Sequence, residues 1–348
     1  MRHTRGPPRQ TVSDSLLPPP SSQAVPGVYT RTARCDRVLS LPVTLSHILC
    51  PVDLSEASQH ALEQATAIAG WYHATLTVLY VHQSGPAIAL EPYGINAALD
   101  EECAEIDRLR EAARAVAAPA IEANVQVDVV IDVGDATRQI LVRAEPRDVG
   151  MIVMGTHGAG GFEHLVLGSV TEKVLRRARC PVLTVPPRVH AAAGLPFRRI
   201  LCAIDFSDSS LSGLEWAWSL AQESGATVSL LHVIEWPWDE PPAPPFEKLP
   251  GVEGRKLAAF RQAAEASSRQ QLESLVPDNL RHRCPSTPLV RHGKAHREVL
   301  AAAAETRADV IVMGVHGRNV VDLTLFGSTT SQVVRHASCP VLTVRTPR

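Results

Sequence analysis

The chain has 348 residues, 45% of them hydrophobic and 20% charged, with a formal net charge of −2 at pH 7. That length suits two domains with additions better than one ordinary core. The near-neutral balance excludes the positive field that would hold a nucleic acid, no basic patch stands out, and no apolar run is long enough to cross a bilayer.

Residues 1–44 carry Arg, Pro and Ser without the apolar core of a secretory signal. With Pro18-Pro19-Pro20-Ser21-Ser22 they read as a disordered tail. Beyond them, short β-branched runs near Ile48, Val78, Val129, Val153 and Val182 alternate with helical patterns. The runs show little polar alternation, as expected of strands buried on both faces. Ala57, Ala61, Ala65 and Ile68 recur at helical spacing between the first two. Ala97 to Ala118 predicts a longer helix rich in Glu and Arg, closed by Pro119. Asp135 to Ala144 predicts a shorter helix and Ser169 to Arg179 the last. Five strands and four helices in this order make a doubly wound, parallel α/β sheet.

The same plan then repeats. His47-Ile48-Leu49-Cys50-Pro51-Val52-Asp53-Leu54-Ser55 aligns with Arg199-Ile200-Leu201-Cys202-Ala203-Ile204-Asp205-Phe206-Ser207 at an offset of 152. Gly155, Gly158, Gly168 and Ser169 align with Gly314, Gly317, Gly327 and Ser328 at an offset of 159. The Pro-rich stretch Pro237 to Pro250 is the natural place for much of the extra length. A repeat this long is a duplicated domain, not a solenoid unit. In the second copy the third strand is poorly marked, because Pro285 and Pro288 interrupt it. The resulting division is a domain over residues 45–187, a linker over 188–197 and a second domain over 198–346.

Ligands of open α/β sheets bind at the carboxyl ends of strands, where strand order reverses. Asp53 ends the first strand and Gly155 the fourth. The loop Gly155-Thr156-His157-Gly158 lets a ligand approach the backbone, and Gly168-Ser169 opens a helix whose amides favour an anion. Two readings stand: a cradle for a nucleotide triphosphate, or a glycine turn followed by an ordinary helix start. Ser169 with Glu172 has the form of a capping box, absent from the second copy, where Ser331 replaces Glu172. Asp53 and Asp205 can accept from a ribose hydroxyl or adenine edge, or cap the helices beginning at Ser55 and Ser207. His157 and His316 read as loop residues. Arg318 can reach a phosphate, where the first copy has only Ala159.

Seven cysteines, odd in number and without a Cys-x-x-Cys pair, exclude a zinc ribbon and a disulfide framework and fit a reducing cytoplasm. A Gly-x4-Gly-Lys-Ser/Thr loop, a Gly-x-Gly-x-x-Gly after the first strand and a Gly-x-Ser-x-Gly elbow are all missing. No general acid and base assemble around a reacting group, so no metal centre and no enzyme are expected.

Three motifs recur in each half: Ile-Leu-Cys-x-x-Asp-x-Ser, Met-Gly-x-His-Gly with its Gly-Ser continuation, and Cys-Pro-Val-Leu-Thr-Val. With them the chain resembles the universal stress protein family in tandem form. The resemblance spans about Ser46 to Val344. It implies two Rossmann-like α/β domains, each a five-stranded parallel sheet of order 3-2-1-4-5 with helices on both faces. It further implies pairing of the two domains, often through the last strand, and a role in stress adaptation. Carried over, adenosine lies against Asp53 and Val81 and phosphates against Met154, Gly155, Gly158, Gly168, Ser169 and Val170. In the second half the matching set is Asp205, Val233, Met313, Gly314, Gly317, Gly327, Ser328 and Thr329. The expected ligand is ATP with Mg²⁺, the expected partners an adenine nucleotide and a second copy of the chain, with neither nucleic acid nor membrane. Gly150, where the second half has Asp309, and Arg318-Asn319, where the first has Ala159-Gly160, set the halves apart. The alternatives are a protein-interaction module that ignores nucleotide, and a slow ATPase with His157 near the attacking water.

Overall fold

The computed structural model describes residues 43–83, 95–145, 148–156, 167–187, 197–235, 252–315 and 327–346. Residues 1–42 of the tail, the Pro237–Pro250 stretch, nearly all of the 188–197 linker, and the loop residues His157, Gly158, Ala159, Gly160, His316, Gly317, Arg318 and Asn319 lie outside them.

The first half runs β1 (His47–Val52), α1 (Glu56–Tyr72), β2 (Thr75–His82), α2 (Ile95–Glu122), β3 (Val127–Val133), α3 (Ala136–Arg143), β4 (Met151–Gly155), α4 (Ser169–Arg177) and β5 (Val182–Val185). The second half repeats it as β6 (Arg199–Ala203), α5 (Asp208–Ser224), β7 (Thr227–Ile234), α6 (Val252–Ser274), β8 (Ser286–His292), α7 (Ala295–Thr306), β9 (Val310–Gly314), α8 (Ser328–His336) and β10 (Val341–Val344). Strand order is β3-β2-β1-β4-β5-β10-β9-β6-β7-β8, so each half has the 3-2-1-4-5 order. Pairing within each half is parallel, and β5 meets β10 antiparallel with Leu183 opposite Leu342.

Alternation explains why the strands read as unbroken apolar runs. Ile48, Cys50 and Val52 point to one face with Met151 and Val153, packed under α1 and α2. Leu49 points to the other with Ile152 and Met154, under α3 and α4. A strand covered on both faces needs apolar residues at both parities. The length suggested separate cores. Instead each face carries one cluster that continues across the β5–β10 seam into the second half.

Two predicted boundaries shift. Pro119 does not close α2, which runs on to Glu122. Its ring is on the exposed side, while Ala113, Ala117 and Ala120 continue a buried stripe past it. The burial of Ala120 outweighs the one backbone donor that proline removes. Pro285 and Pro288 do not abolish the third strand of the second half either. Pro288 lies within β8, an edge strand paired only to β7. Its carbonyl faces Arg269 at 3.5 Å, away from β7, so its nitrogen also faces the open edge, where no ladder bond is lost.

Helix α5 carries one carboxyl that is out of place. Burial pushes Glu215 up to about 7 from the ordinary 4.5. The folded state therefore prefers the protonated form. Stability is undiminished below pH 4.5, falls as pH rises from there toward 7, and is flat above. Since the group is partly in water, the cost is expected to be about 1 kcal/mol. Glu215→Gln should match wild type in urea midpoint near pH 4.5 and exceed it at pH 8. An equal gap at both pH values would refute this.

Candidate functional site

Each half brings the ends of its first, second and fourth strands to one rim. Val52 pairs with Tyr80, so Val81 stands beside Asp53 just past the end of β1. On the other side β1 pairs with β4, which ends at Gly155. The chain leaves β1 toward β2 and returns to β4, so this is the place where strand order reverses. In the second half Ile204 donates to Leu231 O at 2.8 Å, which sets Val233 beside Asp205.

The Asp-x-Ser turns have one geometry in both halves. Asp53 Oδ1 accepts from Ser55 N at 3.1 Å and Ser55 Oγ at 2.5 Å. Asp205 Oδ1 accepts from Ser207 N at 3.0 Å and Ser207 Oγ at 2.5 Å. The intervening Leu54 and Phe206 both sit at φ 62, a conformation that bulky side chains rarely take. The expectation that the aspartates cap the helices is corrected. The caps are Ser55 and Ser207, whose hydroxyls accept from Ser58 N and Ser210 N at 3.3 Å. The aspartates hold the serines that do the capping. Asp53 itself remains exposed at the rim.

The glycine segments are tied down at their bases. Thr156 donates from its amide to Val185 O at 2.9 Å, and Gly168 N returns to Thr156 O at 2.8 Å. Thr171 Oγ1 reaches Gly155 O at 2.8 Å. In the second half Gly327 N meets Val315 O at 3.1 Å and Thr330 Oγ1 meets Gly314 O at 3.0 Å. These two threonines are structural supports of the glycine segments that sequence reasoning passed over. The signal was there, as Gly-Ser-x-Thr in both copies.

The helices that follow begin on Gly168 and Gly327. With Gly168 as cap, Ser169 is the first helical residue, so the expected Ser169–Glu172 capping box does not form. Glycine brings no side-chain oxygen to the first turn, whose amides have no partners within the helix. Ser169 and Ser328 are exposed there, with Val170 and Thr329 partly so. Such a turn offers donors and positive dipole to an anion.

Not every predicted residue faces that space. Met154 and Met313 are 5% exposed and belong to the core, leaving only their backbone at the rim. Glycine at 314 and 327 is also demanded by packing. A Cβ at Gly314 would stand 2.7 Å from Ser210 N and 2.8 Å from Ser209 C, and one at Gly327 would stand 2.7 Å from Val315 O.

The second site has an aromatic pair that the first lacks. Phe206 packs on His232 with centroids 4.8 Å apart, where the first half has Leu54 and Tyr80. His232 Nδ1 lies 2.7 Å from Ile204 O. A carbonyl only accepts, so this nitrogen carries the proton. The four cysteines repeated between the halves pack in the core: burial pushes the Cys180 thiol up to about 11, that of Cys339 up to about 12, and raises Cys50 and Cys202 further, whereas Cys103 on α2 is exposed. Thiols so shifted are poor nucleophiles. Among the described residues, no group of three His, Cys, Asp or Glu is placed to hold a metal ion, and no helix is long and apolar enough to cross a membrane.

Comparison with known proteins gives the same picture from another direction. The model of the universal stress protein family matches residues 44–186 and again residues 196–345. A universal stress protein of Mycolicibacterium smegmatis is 28% identical over 303 residues, covering 86% of this chain and 96% of that one. Another, of Methanocaldococcus jannaschii, is 34% identical over 138 residues, 40% of this chain and 80% of its own. A solved universal stress protein structure from Archaeoglobus fulgidus matches with a TM-score of 0.61 at 24% identity, over 87% of this chain and 100% of that one. At that identity the structural likeness speaks for the fold alone.

Proposed function

This chain belongs to the universal stress protein family, with the family's domain present twice, and from that premise we propose that it binds ATP and acts as a nucleotide-responsive regulator of stress adaptation. The observation that carries the reading is the pairing, at each rim, of an aspartate at the switch point with a glycine-capped helix start. The aspartate suits a ribose or adenine edge, and the first-turn amides suit phosphate. The donor set fits an anion. The Mg²⁺ is assigned to the nucleotide's own phosphates, which neutralise against it before reaching the protein. The chain is assigned no enzymatic turnover, and cytoplasmic residence is part of the proposal.

Isothermal titration of the full chain with Mg-ATP tests this directly. Wild type is expected to release binding heat, and Gly158→Val to lose the part that belongs to the first half. Absence of heat in wild type would sink the proposal, as would an unaltered isotherm for the variant.

One observation favours a second reading. Because Gly314 and Gly327 are required by their own neighbours, part of the glycine pattern persists without any ligand. In that case the domain pair presents a surface to protein partners and ignores nucleotide. A thermal midpoint unmoved by saturating ATP favours this second reading. A rise in midpoint favours the first.

A further inference from the structure

Contacts across the seam between β5 and β10 divide into a reciprocal set and a one-way set. Thr184 Oγ1 donates to Val341 O at 3.2 Å, and its repeat mate Thr343 donates to Val182 O at 3.1 Å. That pair is what duplication demands. The one-way set converges on α4. Near its start, Glu172 accepts from Arg335 Nη2 of the second half at 3.4 Å, beside its own Arg176 at 2.9 Å. At its other end, Arg345 Nη2 donates to the carbonyls of Leu175 and Arg176 at 2.9 and 2.7 Å. Those are among the last four carbonyls that a helix leaves without internal partners.

The repeat cannot build the mirror image. At the offset of 159, Glu172 is replaced by Ser331, and Arg345 by Pro186. Serine has no charge for Arg176, and proline has no guanidinium for the end of α8. Arg345 is also continuous with the second glycine segment. It follows Val344, which pairs with Gly314 and accepts from Val315 N at 2.9 Å.

We infer that Arg335 and Arg345 are positioning residues: from the second half they fix α4 of the first, holding the amides at Ser169 and Val170 ready for a polyphosphate, so that the first half is the tighter of two unequal sites. This rests on the nucleotide reading above and extends it. With about a third of Glu172 and Arg335 exposed, the ion pair adds little to global stability. Its effect is orientation, which lowers the ordering cost that a ligand meets on binding.

The test uses the full chain with Arg335→Ala, Arg345→Ala, the double variant and the charge-preserving Arg335→Lys. Hydrogen exchange without nucleotide should show faster exchange in α4 of the double variant and no change in α5, which packs on the other face of the sheet and carries neither arginine. Photolabelling with 8-azido-ATP, mapped by peptide and competed with ATP, reads the halves separately. Protection of the first half should need roughly tenfold more ATP in the double variant, the second half should not change, and Arg335→Lys should recover much of the loss of Arg335→Ala. Unchanged exchange in α4, unchanged protection of the first half, or equal weakening of both halves would each overturn the inference. If wild type is labelled in neither half, the nucleotide reading fails and the ligand part of this inference with it. The exchange result then still decides on its own whether α4 is gripped.

Discussion

Gly314→Ala is expected to destabilise the chain by about 3 kcal/mol, the upper part of the range for overpacking. The added methyl would stand 2.6 Å from Ser209 Oγ, 2.7 Å from Ser210 N and 2.8 Å from Ser209 C. A side-chain oxygen can rotate away, but the two backbone atoms are held by the first turn of α5. Relief therefore requires the helix start to lift off β9, which also displaces Asp205 through its bonds to Ser207. The control is Gly70→Ala near the end of α1, where an added Cβ meets nothing within 4 Å and a gain of about 0.5–1 kcal/mol is expected from helix propensity. Urea unfolding of both variants decides the matter. A Gly314→Ala midpoint within error of wild type would show that the helix start yields freely.

Asp309→Ala should cost a similar amount, about 3 kcal/mol, by a different route. The Asp309 side chain is 7% exposed. Its Oδ2 accepts from Arg198 N at 2.9 Å and Arg199 N at 2.8 Å, and its Oδ1 from Arg199 Nη2 at 3.0 Å. Removing it strands two backbone donors at the start of β6. The guanidinium suffers less, being nearly half in water. Asp309→Asn keeps an oxygen for the two amides but turns an amide NH2 toward the half-exposed Arg199 guanidinium, so it loses the bond from Nη2 with the charge assistance and should cost about 1 kcal/mol. Equal midpoints for the Ala and Asn variants would show that the amides were not what the carboxylate served. The first half has no carboxylate at the matching position. Gly150 stands in that position, and a Cβ there would meet Leu45 Cδ1 at 2.7 Å.

What could be read in advance followed from local signals repeated twice. The strands were legible because a sheet covered on both faces demands unbroken apolar runs. The strand order came with the family resemblance, and duplication made the second copy a check on the first. Helix limits were less legible, since Pro119 forbids continuation locally while Ala120, three residues after Ala117, rewards it with burial. The role of Asp53 was hidden because it depends on Leu54 adopting φ 62, which lets the carboxylate turn back to Ser55. No residue type announces that bend. Glu172 was misread as part of a capping box because its partner Arg335 is distant in sequence and becomes a neighbour only once β5 and β10 pair.

That pairing has an outcome for how the chain meets its surroundings. Strand direction inverts at the seam, so the carboxyl ends of β1 and β4 emerge along one margin of the ten-stranded sheet, and those of β6 and β9 along the opposite margin. The strand ends that form one rim therefore face away from those that form the other, and among the described residues the two halves meet only through the seam and the helices beside it. A macromolecule approaching from one margin would meet the rim of a single half.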